Sequence, residues 1–302
     1  MQGEPAIVTT ELTKDYGPVL GVDRLNLTVN TGEIFGFLGP NGAGKTTLIR
    51  LLLDLIRPTS GEARVFDQDA RTGGPDLRRK IGFLPGDWKL ETSHPAGDFL
   101  QFLGRLRGGV PESNITDLAD RLGLNLGASV RSLSRGNKQK VGLIQAFMHE
   151  PELLILDEPT SGLDPLMQRE FLAMAREARE QGRTVFMSSH VLSEVQHVAD
   201  RAGVIRNGRL VTIMNIDALR THAQVHLSVR FAEPVDHREF SEIPGIRGLQ
   251  VDDTLLTCLV DGDIDPVIKA IARHRVTQFL SEEPDLEELF LTHYRDDAAN
   301  GQ

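Results

Sequence analysis

Residues 34–47 read Ile-Phe-Gly-Phe-Leu-Gly-Pro-Asn-Gly-Ala-Gly-Lys-Thr-Thr, an apolar run followed by a glycine-rich loop. Gly39 and Gly44 stand five positions apart, and Lys45 and Thr46 come next, which is the spacing of a phosphate-binding loop. The run before the loop predicts a buried strand, and the residues after it predict a helix. We therefore predict a nucleotide site at a helix N-terminus, where backbone N–H groups and the helix dipole attract phosphate.

The residue types of this loop have separate predicted tasks. Its glycines let the backbone wrap phosphate oxygens without Cβ clashes. The Lys45 ammonium would reach the β- and γ-phosphates, and the Thr46 hydroxyl would bind Mg²⁺. A chance glycine turn is the alternative, and the flanking strand and helix argue against it. The predicted phosphate contacts are Gly39, Pro40, Asn41, Gly42, Ala43, Gly44, Lys45, Thr46 and Thr47.

Two carboxylates, Asp157 and Glu158, come directly after a second apolar run, residues 153–156. At the carboxyl end of a central parallel strand such a pair faces the ligand crevice. Asp157 would then hold Mg²⁺, directly or through water, and Glu158 would accept a proton from the attacking water. Acids that merely end a strand are the alternative, which is weak beside a phosphate loop.

Two further side chains are candidates because of their positions. His190 ends a buried run, residues 184–189, and γ-phosphate contact and a structural role stay equally open for it. Tyr16 lies in a loop between two β-rich runs. Its ring could stack on an adenine base, lie on the surface or border the core.

Composition places the chain among globular proteins, since 40% of its 302 residues are hydrophobic and 25% are charged. No apolar run approaches the ~18 residues needed to span a bilayer. We expect no secretory signal, because residues 1–4 offer no basic start and no apolar core follows them. Cys258 is the single cysteine, so an internal disulfide is impossible. We expect it to be a core residue in a protein of a reducing cytosol.

Charge divides the chain near residue 217. Residues 217–302 carry 8 basic and 17 acidic residues, a net charge of −9, whereas residues 1–216 carry 25 and 26, a net charge of −1. We predict a large α/β domain over residues 5–216, with a helical insertion over about 88–150, and a small α+β domain over 217–302. The acidity argues against a nucleic-acid partner, which needs a basic surface. Strands are predicted at 225–231, 255–260 and 276–280, and helices at 267–271 and 286–291.

These motifs, in this order, resemble those of the ATP-binding subunit of an ABC transporter. Leu133–Asn137 reads Leu-Ser-Arg-Gly-Asn, and on spacing alone it could be a plain capped helix start with Ser134 as the N-cap. It also resembles the family signature, usually Leu-Ser-Gly-Gly-Gln. In the same way, Gly39–Thr46 resembles the Walker A motif, and Leu153–Glu158 resembles the Walker B motif with its catalytic glutamate. Ser161–Asp164 resembles the D-loop. His190 resembles the switch histidine, and Tyr16 resembles the aromatic residue that stacks on adenine.

The resemblance implies a P-loop NTPase cassette over about residues 5–215, with a RecA-like core, an antiparallel β subdomain and a helical subdomain. It implies ATP and Mg²⁺ as cofactors, and two cassettes that pair head to tail around two ATP molecules. Ser134, Gly136 and Asp164 then join the nucleotide-binding set, the first two facing the partner's γ-phosphate. Pairing with itself or with a sister chain stays open, although Glu158 and the signature serine suit a homodimer.

The small C-terminal domain resembles that of exporters whose permease is a separate chain. We therefore expect an ATPase that energises export of drugs, antibiotics or lipids, bound through its permease to the cytoplasmic face of the membrane. An importer ATPase with a regulatory tail and a soluble, non-transport ABC protein are the alternatives.

The family usually has glutamine, sometimes glutamate, at the position of Gly86, where the side chain contacts Mg²⁺ and the attacking water. Asp87 is the nearest polar side chain and is our candidate to replace it, while a solvated loop acid is an equally open interpretation. The signature also departs from the family pattern at Arg135 and Asn137, whereas Ser134 and Gly136 are kept.

Overall fold

The computed structural model describes residues 4–17, 20–87, 92–216, 218 and 225–282. The chain forms two compact units, the first ending at Met214 and the second beginning at Asn215. The division expected from charge lies two residues later, between 216 and 217. The predicted helix at 286–291 lies outside the described residues. No described helix is long and apolar enough to cross a bilayer.

A six-stranded sheet forms the centre of the first unit as described. Five of its strands are parallel neighbours, and three are buried at every residue, which explains their continuous apolar sequences. The apolar run at 81–84 predicts a strand as well, and the strands predicted at 34–38, 81–84, 153–156 and 184–189 are confirmed. In spatial order the strands are β10 (Arg209–Asn215), β9 (Arg201–Arg206), β3 (Ile34–Leu38), β8 (Thr184–Ser189), β7 (Leu153–Asp157) and β6 (Ile81–Leu84).

Short helices flank this sheet. The sequence predicts a helix from about Pro165 to Glu180, and α6 (Pro165–Glu180) confirms it, with its first turn capped by Asp164. Because the strands are parallel, the loops after β3, β7 and β8 emerge at one edge of the sheet. The flanking helices are α1 (Lys45–Leu52), α2 (Gly74–Arg79), α6 (Pro165–Glu180) and α7 (Leu192–Val198).

An antiparallel sheet packs on the same core through Ile7 and Leu27, which share one buried cluster with Phe35 and Leu48. The two β-rich runs of the sequence predict strands at 7–10 and 25–29. The observed strands, β1 (Pro5–Asp15) and β2 (Leu20–Asn30), are longer, because their polar ends continue the ladder through register shifts. In spatial order the strands are β2 (Leu20–Asn30), β1 (Pro5–Asp15), β4 (Ser60–Val65) and β5 (Gln68–Asp69).

The helical insertion contains α3 (Ala96–Leu106), α4 (Glu112–Arg121) and α5 (Arg135–Phe147). The sequence predicts a helical run over residues 141–148, with Ser134 as a candidate N-cap before it. The helix begins earlier, at Arg135, directly after Ser134, which is confirmed as the N-cap and accepts the N–H of Asn137 at 3.3 Å. The helix therefore starts inside the segment that resembles the family signature.

The second unit is a four-stranded antiparallel sheet with two short helices, so the predicted α+β class is confirmed for its described part. The expected strands and the helix at 267–271 are present, and β12 and α8 were not predicted. Cys258 is buried in the core beside Leu227 and Leu256, and burial raises the pKa of its thiol to about 11. The elements are β11 (Val225–Phe231), α8 (Arg238–Ser241), β12 (Ile246–Asp252), β13 (Leu255–Val260), α9 (Asp265–Ile271) and β14 (Val276–Glu282).

Candidate nucleotide site

The loop between β3 and α1 has the backbone conformation that phosphate binding requires. Gly42 and Gly44 have φ values of 81° and 115°, which other residues rarely adopt. A Cβ on Gly44 would lie 2.3 Å from the backbone oxygen of Gly21, so this position accepts glycine alone. No side chain caps α1, which leaves the N–H groups of its first turn directed at the loop.

Lys45 is buried, with 5% of its surface exposed, and its ammonium has partners inside the chain. Its Nζ donates to the carbonyl of Gly39 at 2.6 Å and to that of Pro40 at 3.3 Å. It also lies 3.2 Å from Oε1 of Glu158. A buried charge needs such partners, and they hold the ammonium within the glycine loop.

Thr46 and Asp157 form a hydroxyl–carboxylate pair between the start of α1 and the end of β7. The Thr46 hydroxyl donates to Oδ2 of Asp157 at 2.7 Å, and Ser188 donates to Oδ1 at 2.5 Å. The Thr46 hydroxyl and the Asp157 carboxylate are both hard oxygen ligands of the kind that Mg²⁺ prefers. Nowhere in the described ranges do three or more His, Cys, Asp or Glu cluster as a metal site. A cation held here would therefore take its other ligands from phosphate and water, which is the usual behaviour of Mg²⁺.

Glu158 is held by its backbone and by its side chain. Its φ is 50°, a left-handed conformation that is costly for a residue with a Cβ. Its N–H donates to the Ser188 hydroxyl at 3.1 Å, and its carbonyl accepts from Gln139 at 3.1 Å. Its carboxylate lies between Lys45 and His190, whose Nδ1 is 2.7 Å from Oε2. These contacts fix one carboxylate beside the glycine loop.

A cavity of about 580 Å³ joins these groups. Tyr16 lines this cavity with 47% of its surface exposed. The Lys14 ammonium lies 5.2 Å from the centre of the Tyr16 ring. The ring is thus available at the cavity edge for stacking. Of the site residues predicted from sequence, those that line the cavity are Tyr16, Pro40, Asn41, Gly42, Ala43, Gly44, Lys45, Thr46, Thr47, Asp157, Glu158 and His190.

Four predicted site residues do not line this cavity. Gly39 contributes its carbonyl to the site, where it accepts a hydrogen bond from the Lys45 ammonium at 2.6 Å. Ser134 and Asp164 serve as N-caps of α5 and α6, and Asp164 accepts the N–H groups of the first turn of α6 at 3.0 Å. A Cβ on Gly136 would lie 2.6 Å from the carbonyl oxygen of Gly162, so the start of α5 packs directly on the Ser161–Asp164 turn.

Arg135 and Ser161 do line the cavity, although sequence analysis assigned neither to the nucleotide-binding set. The Arg135 guanidinium donates to the Ser161 hydroxyl at 2.9 Å. The two residues belong to different elements and are 26 positions apart. No local pattern could have found this contact.

Comparison with known proteins decides the family. The model of the family described as ABC transporter matches residues 22–161. The bacitracin transport ATP-binding protein of Bacillus licheniformis is 39% identical over 233 residues, which cover 75% of this chain and 75% of that protein. The chain belongs to the ABC transporter family. Its glycine loop and its Asp157–Glu158 pair are therefore parts of an ATP-binding cassette.

Other cassettes agree with this assignment. A bacitracin transport ATP-binding protein of Enterococcus faecalis is 41% identical over 222 residues, covering 72% of this chain and 71% of that protein. A solved ATP-binding subunit of an ABC transporter superposes with a TM-score of 0.65 at 27% identity, covering 71% of this chain and 92% of its own. A dimeric bacterial cassette has a TM-score of 0.62 at 21% identity, covering 70% and 98%, and supports the fold alone.

Proposed function

We propose that this cassette hydrolyses ATP to energise an exporter. The observation that carries the proposal is the position of the Glu158 carboxylate, between Lys45 and His190 and beside the Thr46–Asp157 pair. A base, a cation and a metal-binding pair thus meet at one glycine loop. These are the groups that phosphoryl transfer to water requires.

Each residue has a stated task in this proposal. Lys45 binds the β- and γ-phosphate oxygens, and Thr46 and Asp157 hold Mg²⁺, which would neutralise the charge that develops on those oxygens. Glu158 accepts the proton of the attacking water. His190, bonded to Glu158, fixes the direction of that carboxylate and can present its other ring nitrogen to the γ-phosphate. Tyr16 offers a face for the base.

Pairing of two cassettes is part of the proposal. Ser134 and Gly136 lie outside their own cavity, which is the arrangement expected if they act on the nucleotide of a partner. The resemblance assigns them this task. A second copy of this chain is the partner we favour, because one chain carries both the base and the signature serine.

The names of relatives support the proposed direction of transport. Two are named for bacitracin transport, and a third, from Escherichia coli, is named a probable multidrug ABC transporter ATP-binding protein at 36% identity over 226 residues. The third match covers 73% of this chain and 39% of that protein. We propose that this cassette exports a drug, antibiotic or lipid through a separate permease, at the cytoplasmic face of the membrane.

The test is to recover the tagged chain from membranes of its own host and identify what co-purifies. A permease with no substrate-binding protein, together with Mg²⁺-dependent ATPase activity that is lost in Lys45→Ala, supports the proposal. A co-purifying substrate-binding protein would indicate import. Recovery free of any membrane protein, with the activity intact, would indicate a non-transport ATPase.

A further inference from the structure

The turn that follows β6 touches Asp157 through Gly86. A Cβ built on Gly86 would lie 3.1 Å from Oδ2 of Asp157, 3.2 Å from its Cγ and 3.4 Å from its backbone oxygen. The first two separations are tighter than most Cβ contacts in proteins, and the third is ordinary van der Waals contact. A side chain at position 86 would therefore crowd the carboxylate that the site offers to a cation, and that carboxylate would have to move by a few tenths of an ångström.

Asp157 has little freedom to move away. It is 2% exposed, and both of its carboxylate oxygens accept hydrogen bonds, one from Thr46 and one from Ser188. Strands β6 and β7 are adjacent and parallel, with Leu84 opposite Leu156, so the turn leaves the sheet at the height of Asp157. The close approach is thus built into the sheet register.

Asp87 follows Gly86 and lines the same cavity as Thr46, Asp157 and Glu158. It adds a carboxylate to a cavity wall that already contains the metal-binding pair. Carboxylates are ligands that Mg²⁺ and Mn²⁺ accept, directly or through bound water. The sequence left Asp87 open between this task and a solvated loop acid, and its place in the cavity wall favours the former.

We infer that Gly86 and Asp87 act together as part of the metal site. Gly86 brings the turn against Asp157, and the Asp87 carboxylate accepts hydrogen bonds from water bound to the cation. The inference rests on the proposed ATPase function. It predicts the opposite of what a simple loss of glutamine would predict. Glutamine at position 86 should weaken the site, because its Cβ would crowd the Asp157 carboxylate that is bonded to Thr46.

The test measures Mn²⁺ binding by electron paramagnetic resonance, in the presence of a non-hydrolysable ATP analogue and with the full chain. Asp87→Asn keeps the size of the side chain and removes its charge. We expect it to weaken Mn²⁺ binding roughly ten- to a hundred-fold, the range seen when groups that support a metal site are changed. Gly86→Gln and Gly86→Ala should weaken it as well. Asp98→Asn, an exposed acid in the first turn of α3 and outside the cavity, is the control and should bind Mn²⁺ like the parent.

Unchanged Mn²⁺ affinity in Asp87→Asn would overturn the inference, and so would equal or tighter Mn²⁺ binding in Gly86→Gln. The ATPase rate and its Mg²⁺ dependence, measured on the same proteins, separate two kinds of failure. If the parent hydrolyses ATP and Asp87→Asn matches it in every respect, the inference alone fails. If the parent binds no Mn²⁺–nucleotide complex and hydrolyses no ATP, the proposed function fails with it. Asp87 is exposed, so its variant should fold, and Gly86 variants are compared at equal folded fraction.

Discussion

The side-chain amide of Gln139 donates a hydrogen bond of 3.1 Å to the backbone carbonyl of Glu158. It donates a second, of 3.0 Å, to the carbonyl of Pro159, and Gln139 is buried. Helix α5 begins directly after Ser134. The helix that starts in the signature segment is therefore bonded to the backbone of the proposed base, so a shift of this helix would act directly on that backbone.

Gln139→Leu removes both bonds while keeping an apolar stem of similar length. We expect kcat for ATP to fall about tenfold or more, because a small displacement of a base is costly to catalysis. The KM for ATP should stay near its parent value, since Gln139 does not line the nucleotide cavity. Steady-state kinetics give both quantities. The control is Gln145→Leu, which loses one bond from α5 to the carbonyl of Phe83. Equal losses of kcat in both variants would contradict a special role for Gln139.

Lys45→Ala should abolish ATP binding and hydrolysis. The variant loses the ammonium held at the carbonyl of Gly39 and beside Glu158, which is the cation that the loop offers to phosphate. It also leaves the Glu158 carboxylate without one of its two partners. Binding of a fluorescent ATP analogue and release of phosphate measure the two losses. Near-normal turnover would show that this loop is not the nucleotide site.

Glu158→Gln should keep ATP binding and lose hydrolysis, because an amide does not accept the proton of the attacking water. ATP would then remain in place and hold two chains together. Size-exclusion chromatography with and without ATP and Mg²⁺ measures this association. A variant that stays monomeric in both conditions would contradict ATP-driven pairing of the cassette on its own.

His149 makes the folded chain sensitive to acid. Burial, together with the charge of Arg107 at 2.9 Å, lowers the pKa of His149 to about 4, from an ordinary value near 6.5. The unfolded chain therefore binds a proton at a higher pH than the folded chain. The contribution of neutral His149 to stability is complete above about pH 6.5 and is lost as pH falls towards 4.

His149→Gln should flatten this pH dependence, since glutamine keeps a polar side chain and takes up no proton. Urea unfolding at pH 5 and at pH 7 gives the two free energies whose difference is compared. His94→Gln, at an exposed position, should leave the parent slope intact. A parent-like slope in His149→Gln would show that other groups control acid stability.

Truncation after Asn215 should leave ATP binding intact, because every residue of the nucleotide cavity lies in the first unit. We expect dimerisation and its salt dependence to change, since two copies of residues 217–302, each with a net charge of −9, repel each other. Salt screens this repulsion, with a Debye length of about 10 Å at 0.1 M. Sedimentation at several salt concentrations measures it. From the sequence we predict an apolar contact between the two copies through Leu286, Leu289 and Phe290, which lie outside the described residues. Loss of ATP binding would show that the removed residues are part of the core of the cassette. Unchanged dimerisation at every salt concentration would show that they do not regulate pairing.

Periodicity and loop chemistry were sufficient for the central sheet and for the nucleotide loop. An apolar run predicts the strand before Gly39, and the glycine pattern of the loop predicts the start of the helix after it. Both are local signals in the sequence. Strand β12 gave no such signal, because it is an edge strand with exposed Arg247 and Gly248 and a register shift before Gln250. An edge strand needs no continuous apolar face, so its sequence is ambiguous.

The contacts of the site that sequence analysis missed are all between elements. The Gln139 amide of α5 donates to the carbonyl of Glu158, and Gly86, in the turn after β6, lies against the carboxylate of Asp157 at the end of the paired strand β7. Neither pair is close in sequence, and the residues involved are ordinary in composition. Motifs therefore located the chemical groups, while the packing of the sheet decided which neighbours hold them.

The rate at which Cys258 reacts with a thiol reagent can report how often the second unit opens. Because it is the single thiol, is buried in the second unit and is kept protonated by its raised pKa, a maleimide can react with it only when that unit opens. The labelling rate of the natural sequence thus reports the opening frequency of one unit, with no engineered probe. Adding nucleotide, which binds in the other unit, and timing the same reaction would reveal whether the two halves communicate.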